Sequence, residues 1–314
     1  MVDMPGGDRT KRRHLLGAAA LLCALSLPAM AQDPAARPAP AASDAPDDAI
    51  VVQGIREKAR VIDAYVRALT VITSRDPLPR YAEDSYCPGV VGLSAARNAE
   101  LAARMRQVAV AAGVKPAAES CRTSALVLFV NDKDSFLEAF RKAHPVYFSD
   151  RSRRHWSPPR EAGPAMAWHL SQRLDAQGDA GGSGNGIKVF ESPMGGSRIT
   201  EMTRPVVAMS VVIIERRALV GLTPVQIADY ALMRSLTDRA PTNLQGTAAE
   251  TILTAIDAPT GSAIPASLTE WDLAYVRGRY ATPEFRNGYS QGAAIRAGMK
   301  KKLAPKDPGD RERD

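Results

Sequence analysis

Apolar residues recur along the chain with two spacings, and each spacing marks one kind of element. Between Arg56 and Ile72 they fall at Val61, Ile62, Tyr65, Val66 and Leu69, the rhythm of a helix with one buried face. Leu101, Met105, Val108 and Ala112 repeat it in a second helix, predicted to open on Ser94 as N-cap and to stop at Gly113. Phe136, Leu137 and Phe140 share a face in a third, capped by Asn131 or Asp132 and ended by Pro145. Ala125 to Val130 (ALVLFV) and Val206 to Glu215 (VVAMSVVIIE) are continuously apolar over strand length, as strands covered on both faces are. Ala165 to Leu174 alternates instead. Met166, Trp168, Leu170 and Leu174 point one way, and Ala165, Ala167, His169, Ser171 and Arg173 the other.

The C-terminal third carries the clearest boundaries. Thr223, Pro224 and Gln226 give an N-cap, a first-turn proline and the third residue of a capping box, with Leu222 and Ile227 spaced as a hydrophobic staple. A short helix is predicted over Ala248 to Ile256. Ser267 and Glu270 then have capping-box spacing for another that runs to Tyr280, and a basic helix is predicted from Gln291 to Leu303. Pro77, Pro79 and Pro88 mark a loop, and Gly178 to Gly186 a flexible connection within a long hairpin. Helices and strands mix without regular alternation, which predicts an α+β fold: a mixed sheet with helices packed on it. One domain over residues 49–285 is expected, followed by a basic helix and tail over 286–314.

The N-terminus changes where this fold is expected to work. Arg9, Lys11, Arg12 and Arg13 precede an apolar core from Leu15 to Leu27, and Pro28 then leads into Ala29-Met30-Ala31. This is the layout of a secretory signal peptide over residues 1–31, with cleavage after Ala31. The apolar run is shorter than the roughly 20 residues a membrane span needs. General and twin-arginine export both remain open. Residues 32–48, rich in Pro, Ala and Asp, read as a disordered linker, and Ala49 to Gly54 as an N-terminal edge strand.

Export also changes the composition. The chain of 314 residues has 41 Lys+Arg against 34 Asp+Glu, a formal charge of +7. The leader removes four basic and two acidic residues, leaving +5 on 283 residues. It also removes Cys23, so Cys87 and Cys121 remain and are expected to pair in an oxidising periplasm or outside the cell.

Candidate chemistry is sparse. The mature chain holds His144, His155 and His169, with neither an HxxxH pair nor a CxxC, so no metal or other cofactor is expected. No GxSxG elbow or phosphate-cradling loop is present. His169, on the small and polar face of its strand, is the histidine that merits attention. Arg151, Arg153, Arg154 and Arg160 form a basic cluster that would attract anions. In an exported protein those are envelope components or a periplasmic partner rather than nucleic acid.

Two segments carry a resemblance. Gln226-Ile227-Ala228-Asp229-Tyr230-Ala231-Leu232 resembles the active-site helix of metzincin-like metalloproteases, written HExxHxxG. Leu268-Thr269-Glu270-Trp271-Asp272-Leu273, continuing to Tyr280, is similar to the closing helix of matrixin-like domains. The chain as a whole resembles uncharacterised exported bacterial proteins with a degenerate segment of this kind. The resemblance implies a zincin-like fold in which Gln226, Ile227 and Tyr230 stand where two zinc-binding histidines and the glutamate base belong, so that mechanism is lost. It makes Asp229, Tyr230, Arg234 and His169 candidates for a remnant cleft. Separately, Asp47 to Gly54 (DDAIVVQG) is similar to the acidic segment that follows the signal peptide in TonB-dependent receptors, where a strand can be added to a periplasmic partner.

These readings point to an exported binding or envelope-associated protein without catalysis. A hydrolase of peptide or cell-wall substrates on a degenerate zincin-like fold is the alternative. Processing has a direct check: intact-mass measurement of the protein from the periplasm is expected to give a chain that begins at Gln32.

Overall fold

The computed structural model describes residues 47–148, 158, 160–184, 187–190, 196–197, 199–244, 247–259 and 261–304; the side chains of 47–55 and 183–188 lie outside this description. Among these residues six α-helices and a mixed sheet make up the α+β fold.

The first helix, α1 (Asp47–Leu69), begins earlier than the apolar rhythm suggests. It absorbs Ala49 to Gly54, which is therefore helix and not an edge strand, so the backbone there is already hydrogen-bonded and presents no strand to a TonB-type partner. Ile62, Tyr65, Val66 and Leu69 are buried, as the spacing requires. Strand β1 (Pro88–Val91) falls in what reads as a proline loop, a strand too short for periodicity to reveal. Helix α2 (Ala95–Ala111) opens on Ser94, whose hydroxyl accepts from the Arg97 N–H at 3.3 Å, and ends before Gly113 at φ +80. Strand β2 (Ala125–Val130) then pairs with β1 in parallel. A β–α–β unit thus exists where no regular alternation is legible. The disulfide Cys87–Cys121 ties the residue before β1 to the loop between α2 and β2.

Helix α3 (Lys133–Ala143) is capped by Asp132, the carboxylate of which accepts from Ser135 N at 2.7 Å. Strand β3 (Ala165–Leu174) runs antiparallel to β6 (Arg204–Glu215), and between them β4 (Gly182–Gly184) and β5 (Ile187–Val189) form a small ribbon in the glycine-rich connection. The sheet order is β1-β2-β6-β3, with β6 parallel to β2, so the continuously apolar strands β2 and β6 are the central ones. Their position explains their composition, since both faces are covered. Ala125, Val127, Phe129, Ala167, Val212 and Ile214 meet the large helical core, while Leu128, Val130, Met166, Trp168, Val211 and Ile213 meet Phe140 and Phe148 on the α3 side. A register shift between Leu170 and Ser171 breaks the alternation of β3, and Leu174, though buried, joins neither core.

Helix α4 (Pro224–Leu236) carries the capping box its sequence announces, with Thr223 accepting from Gln226 N and Gln226 Oε1 from Thr223 N. Ala248 to Ile256, by contrast, holds only a 3-10 turn at Ile252–Thr254. Helix α5 (Glu270–Ala281) has its cap two residues after the one read from the sequence. Its box is Thr269 with Asp272, because Asp272 is needed inside the core. Asp272, fully buried, accepts from Tyr65 Oη (2.7 Å), Thr251 Oγ1 (2.6 Å), Ile252 N (3.0 Å) and Thr269 N (3.0 Å), joining α1 to α5. Arg80 closes the far end of α5, donating to the carbonyls of Arg279, Tyr280 and Thr282 at 2.9–3.0 Å. Helix α6 (Gly288–Lys302) packs on α5 and buries Ile295 and Met299. No helix among the described residues is long and apolar enough to cross a membrane.

Removing the Asp272 carboxylate strands several buried donors at once, each costing about 1–3 kcal/mol when unpaired. Asp272→Ala is expected to lose on the order of 3 kcal/mol or more in urea unfolding, and Asp272→Asn, which keeps one acceptor, distinctly less.

Candidate functional site

The helix that resembles a protease active site is packed on every side. Gln226 through Leu236 are all buried between α2, the sheet and the turn at Ile252–Thr254. Gln226 spends its carboxamide on the cap and on the Pro265 carbonyl, to which Nε2 donates at 2.9 Å. Ile227 lies in the core. Tyr230 is 1% exposed, and burial pushes its phenol well above the ordinary range, so it stays protonated. Asp229 is fully buried and bound on both oxygens: Arg104 of α2 donates through Nε and Nη2 at 2.9 Å each, and Leu268 N donates at 2.9 Å. These contacts make Asp229 a strut between α2 and the start of α5. Among the described residues no group of three or more His, Cys, Asp or Glu is placed to hold a metal ion.

Arg234, two turns further along, belongs to a different setting. It lines a cavity of about 1000 Å³ between β3, the end of α4, the loop from Val71 to Pro79 and the segment at Arg160–Ala162. His169 of β3 lines the same cavity, and so does Arg160. Arg234 thus meets Arg160 and His169, more than sixty positions earlier in the chain, at one place, while Asp229 and Tyr230 do not line it. Arg151, Arg153 and Arg154 lie outside the described residues.

The floor of the cavity is a set of charges that already have partners. Arg234, 1% exposed, donates from Nη2 to both oxygens of Glu161 at 2.6 Å and from Nη1 to the Arg239 carbonyl at 3.1 Å. Glu161 is held by its own backbone as well. Lys133 Nζ donates to the carbonyls of Glu161 and Gly163 at 2.6 Å, and Glu161 Oε1 accepts from Ala167 N at 3.1 Å. Asp238 is gripped from below by Arg279, through Nη2 on Oδ1 (2.7 Å) and Nη1 on Oδ2 (3.0 Å). Arg279, also 1% exposed, reaches the Pro79 carbonyl and Tyr275 Oη too. At the rim Arg173 pairs with Asp76 at 2.7 Å.

Two lining cations remain. Arg160 and Arg239 are exposed, and neither side chain has an ion pair among the described residues. Among the described residues the lining therefore has three carboxylates, each matched by an arginine, and two arginines in surplus.

His169 sits among these pairs with 11% of its side chain exposed. Its Nδ1 is 4.0 Å from Asp238 Oδ1, too far for a hydrogen bond, and its Nε2 is covered and has no hydrogen-bond partner among the described residues. Burial, with Arg279 and Arg234 nearby, pushes its pKa from 6.5 down to about 4 against the opposing pull of Asp238 and of the Ser235 backbone. The imidazole is neutral at pH 7.

Glu161, Asp238 and Arg279 carry no readable signal in the chain, because their partners are tens to two hundred positions away, and Arg239 and Thr237 carry none because only the turn after α4 brings them to the cavity. No family model matches this chain, and no curated protein or solved structure is significantly similar to it.

The depressed His169 pKa has a measurable consequence. Between pH 6.5 and about 4 the unfolded chain takes up a proton that the folded one refuses, so stability falls as pH drops through this window and levels off below it. The expected loss from this residue is roughly 3 kcal/mol at most. Denaturation midpoints of His169→Gln should show a flatter slope than the native chain from pH 6.5 to 4, and a parallel course above pH 7.

Proposed function

We propose that the chain is an exported binding protein without catalytic activity, which takes a small organic anion into the cavity beside β3. The observation that carries this reading is the surplus of Arg160 and Arg239 over carboxylates that are all already held. Paired charges contribute little attraction to an incoming ligand, whereas an exposed guanidinium offers a two-pronged donor matched to carboxylate or phosphate. The rigid ion pairs beneath give those two arginines a shaped, preorganised floor. The leader-like N-terminus and the Cys87–Cys121 bridge support export to the periplasm or beyond, and envelope-derived anions are then the accessible ligands.

The zincin-like reading of the fold rests on the two sequence segments. In this chain the positions of that motif serve helix capping and core packing, so a scaffold of that kind would here have been turned to binding. The hydrolase alternative would require His169 as a base. Its Nε2 exposes less than 1 Å² and meets no hydroxyl or thiol, which favours the binding reading.

Calorimetric titration at low ionic strength with acetate, hexanoate, glucuronate and inorganic phosphate tests the proposal. At least one anion is expected to bind, and the double variant Arg160→Ala/Arg239→Ala to weaken it by roughly tenfold or more per arginine, since a hydrogen bond to a charged group contributes about 1.5–3 kcal/mol. Binding of none of the four, or indifference to the double variant, overturns it. Peptide or peptidoglycan hydrolysis abolished by His169→Ala would instead favour the hydrolase.

A further inference from the structure

The outer edge of the sheet forms one wall of the cavity. Strand β3 ends the order β1-β2-β6-β3, so it pairs with β6 on one side only. Ala167, Trp168, His169, Ser171 and Arg173 of this strand all line the cavity. Trp168 is among them although its ring packs against Phe148 on the other face of the sheet, which puts the backbone edge of the strand on the cavity wall.

In an antiparallel pair, residues alternate between bonding the partner strand and pointing away from it. The Glu215 N–H donates to the Pro164 carbonyl, which sets the alternation, and the Ala167 N–H accordingly turns outward, to Glu161 Oε1 at 3.1 Å. His169 follows two residues on. Beyond the register shift, Ser171 lies opposite Val207, whose N–H donates the other way, to the Arg80 carbonyl. Arg173 lies opposite Pro205, which has no N–H to give. The backbone N–H and C=O groups of His169, Ser171 and Arg173 therefore face away from β6, and none of them has a hydrogen-bond partner among the described residues. Ser171 and Arg173 are only half-buried.

Open backbone groups at every second residue of an edge strand are the template on which an extended peptide pairs. The surplus arginines set its direction. Arg160 adjoins Glu161, and the Arg239 carbonyl accepts from Arg234, which also holds Glu161, so both cations are tied to the Glu161 end of the edge. Glu161 itself fills the first edge position, at Ala167. A carboxylate bound there leaves the rest of a peptide to run back past His169, Ser171 and Arg173. The volume, about 1000 Å³, admits a few residues of extended chain.

We infer that the ligand is the C-terminal end of an extended peptide, which adds to the free edge of β3 antiparallel to it and places its carboxylate at Arg160 and Arg239. This rests on the anion-binding reading above. It adds a prediction that reading does not make: backbone pairing, and not charge alone, sets the affinity.

Calorimetry at pH 7 and low salt compares N-acetyl-trialanine with hexanoate, with the C-terminal amide of the same peptide and with the peptide methylated at every amide nitrogen. The peptide acid is expected to bind about tenfold or more tighter than each of the others, since the amide lacks the charge and the methylated acid lacks the donors. Ser171→Pro removes an N–H that β6 does not use, and proline is tolerated at such edge positions. In this variant the peptide acid is expected to fall to the level of hexanoate, while hexanoate itself is unchanged; Ser171→Ala is expected to bind both as the native chain does. Thermal unfolding checks that the variants fold, and if Ser171→Pro does not, the methylated peptide is read in its place. A peptide acid that binds no tighter than hexanoate overturns this inference and leaves the anion-binding reading standing. So does a preference for the peptide that survives both Ser171→Pro and methylation. An amide that binds as tightly as the acid also overturns it. Failure of the peptide acid together with all four anions named above removes the anion-binding reading itself.

Discussion

A helix buried on all sides cannot carry charge unless its neighbours answer it, and α4 carries two charges. Asp229 and Arg234 lie on a helix whose every residue from Gln226 onward is buried. An unpaired charge there would cost several kcal/mol, so the positions of Arg104 on α2 and Glu161 before β3 are fixed by need. Much of the molecule follows from those two demands. Arg104 and the Leu268 amide bring α2 and the approach to α5 onto one face of α4. Glu161, anchored by Lys133 from the start of α3, brings the chain across the edge of the sheet to the other end of the helix. The same logic recurs at Asp272, which holds α1 and α5 together through four neutral donors, and at Asp238, held by Arg279.

The cavity is a by-product of this arrangement. Where α4 ends, the chain turns through Thr237, Asp238 and Arg239 past the outer strand β3, and no helix or strand among the described residues covers the gap between them. The ion pairs that stabilise the core form its floor. Arginines left without a carboxylate stand at its rim. A protease of the type the C-terminal helices resemble would use the same helix very differently, with two imidazoles pointing into a cleft. Here the corresponding positions are spent on a cap and on apolar contacts, which separates α4 from such a helix in structure as well as in sequence.

Much of this architecture is legible in the chain. The helices around Ile62, Leu101, Phe136, Ile227 and Tyr275 and the strands at ALVLFV and VVAMSVVIIE follow from spacing and run length, because each buries a face or two whose pattern is local. The caps at Ser94 and Thr223 follow from residues three or four apart, and Asp132 is one of the two candidates read for the third, while the pairing of Cys87 with Cys121 is expected from the small number of cysteines. Short or overridden elements were not legible: β1, four residues long, and the turn at Ile252, where a helix-like pattern yields to the pull of Asp272 on the Ile252 amide.

The site divides along the same line. The sequence by itself determined that His169 would sit on the small and polar face of its strand, that Arg160 would belong to an anion-attracting basic cluster and that no HxxxH or CxxC spacing is present. Only the tertiary structure decided that His169, Arg160 and Arg234 share one cavity, that Asp229 belongs to the core, and that Glu161 and Asp238 hold the floor. The physical reason is the range of the interactions. Periodicity and capping act over a few residues, whereas each ion pair at the site joins elements that meet only when a buried helix forces its charges to find counter-charges elsewhere in the chain.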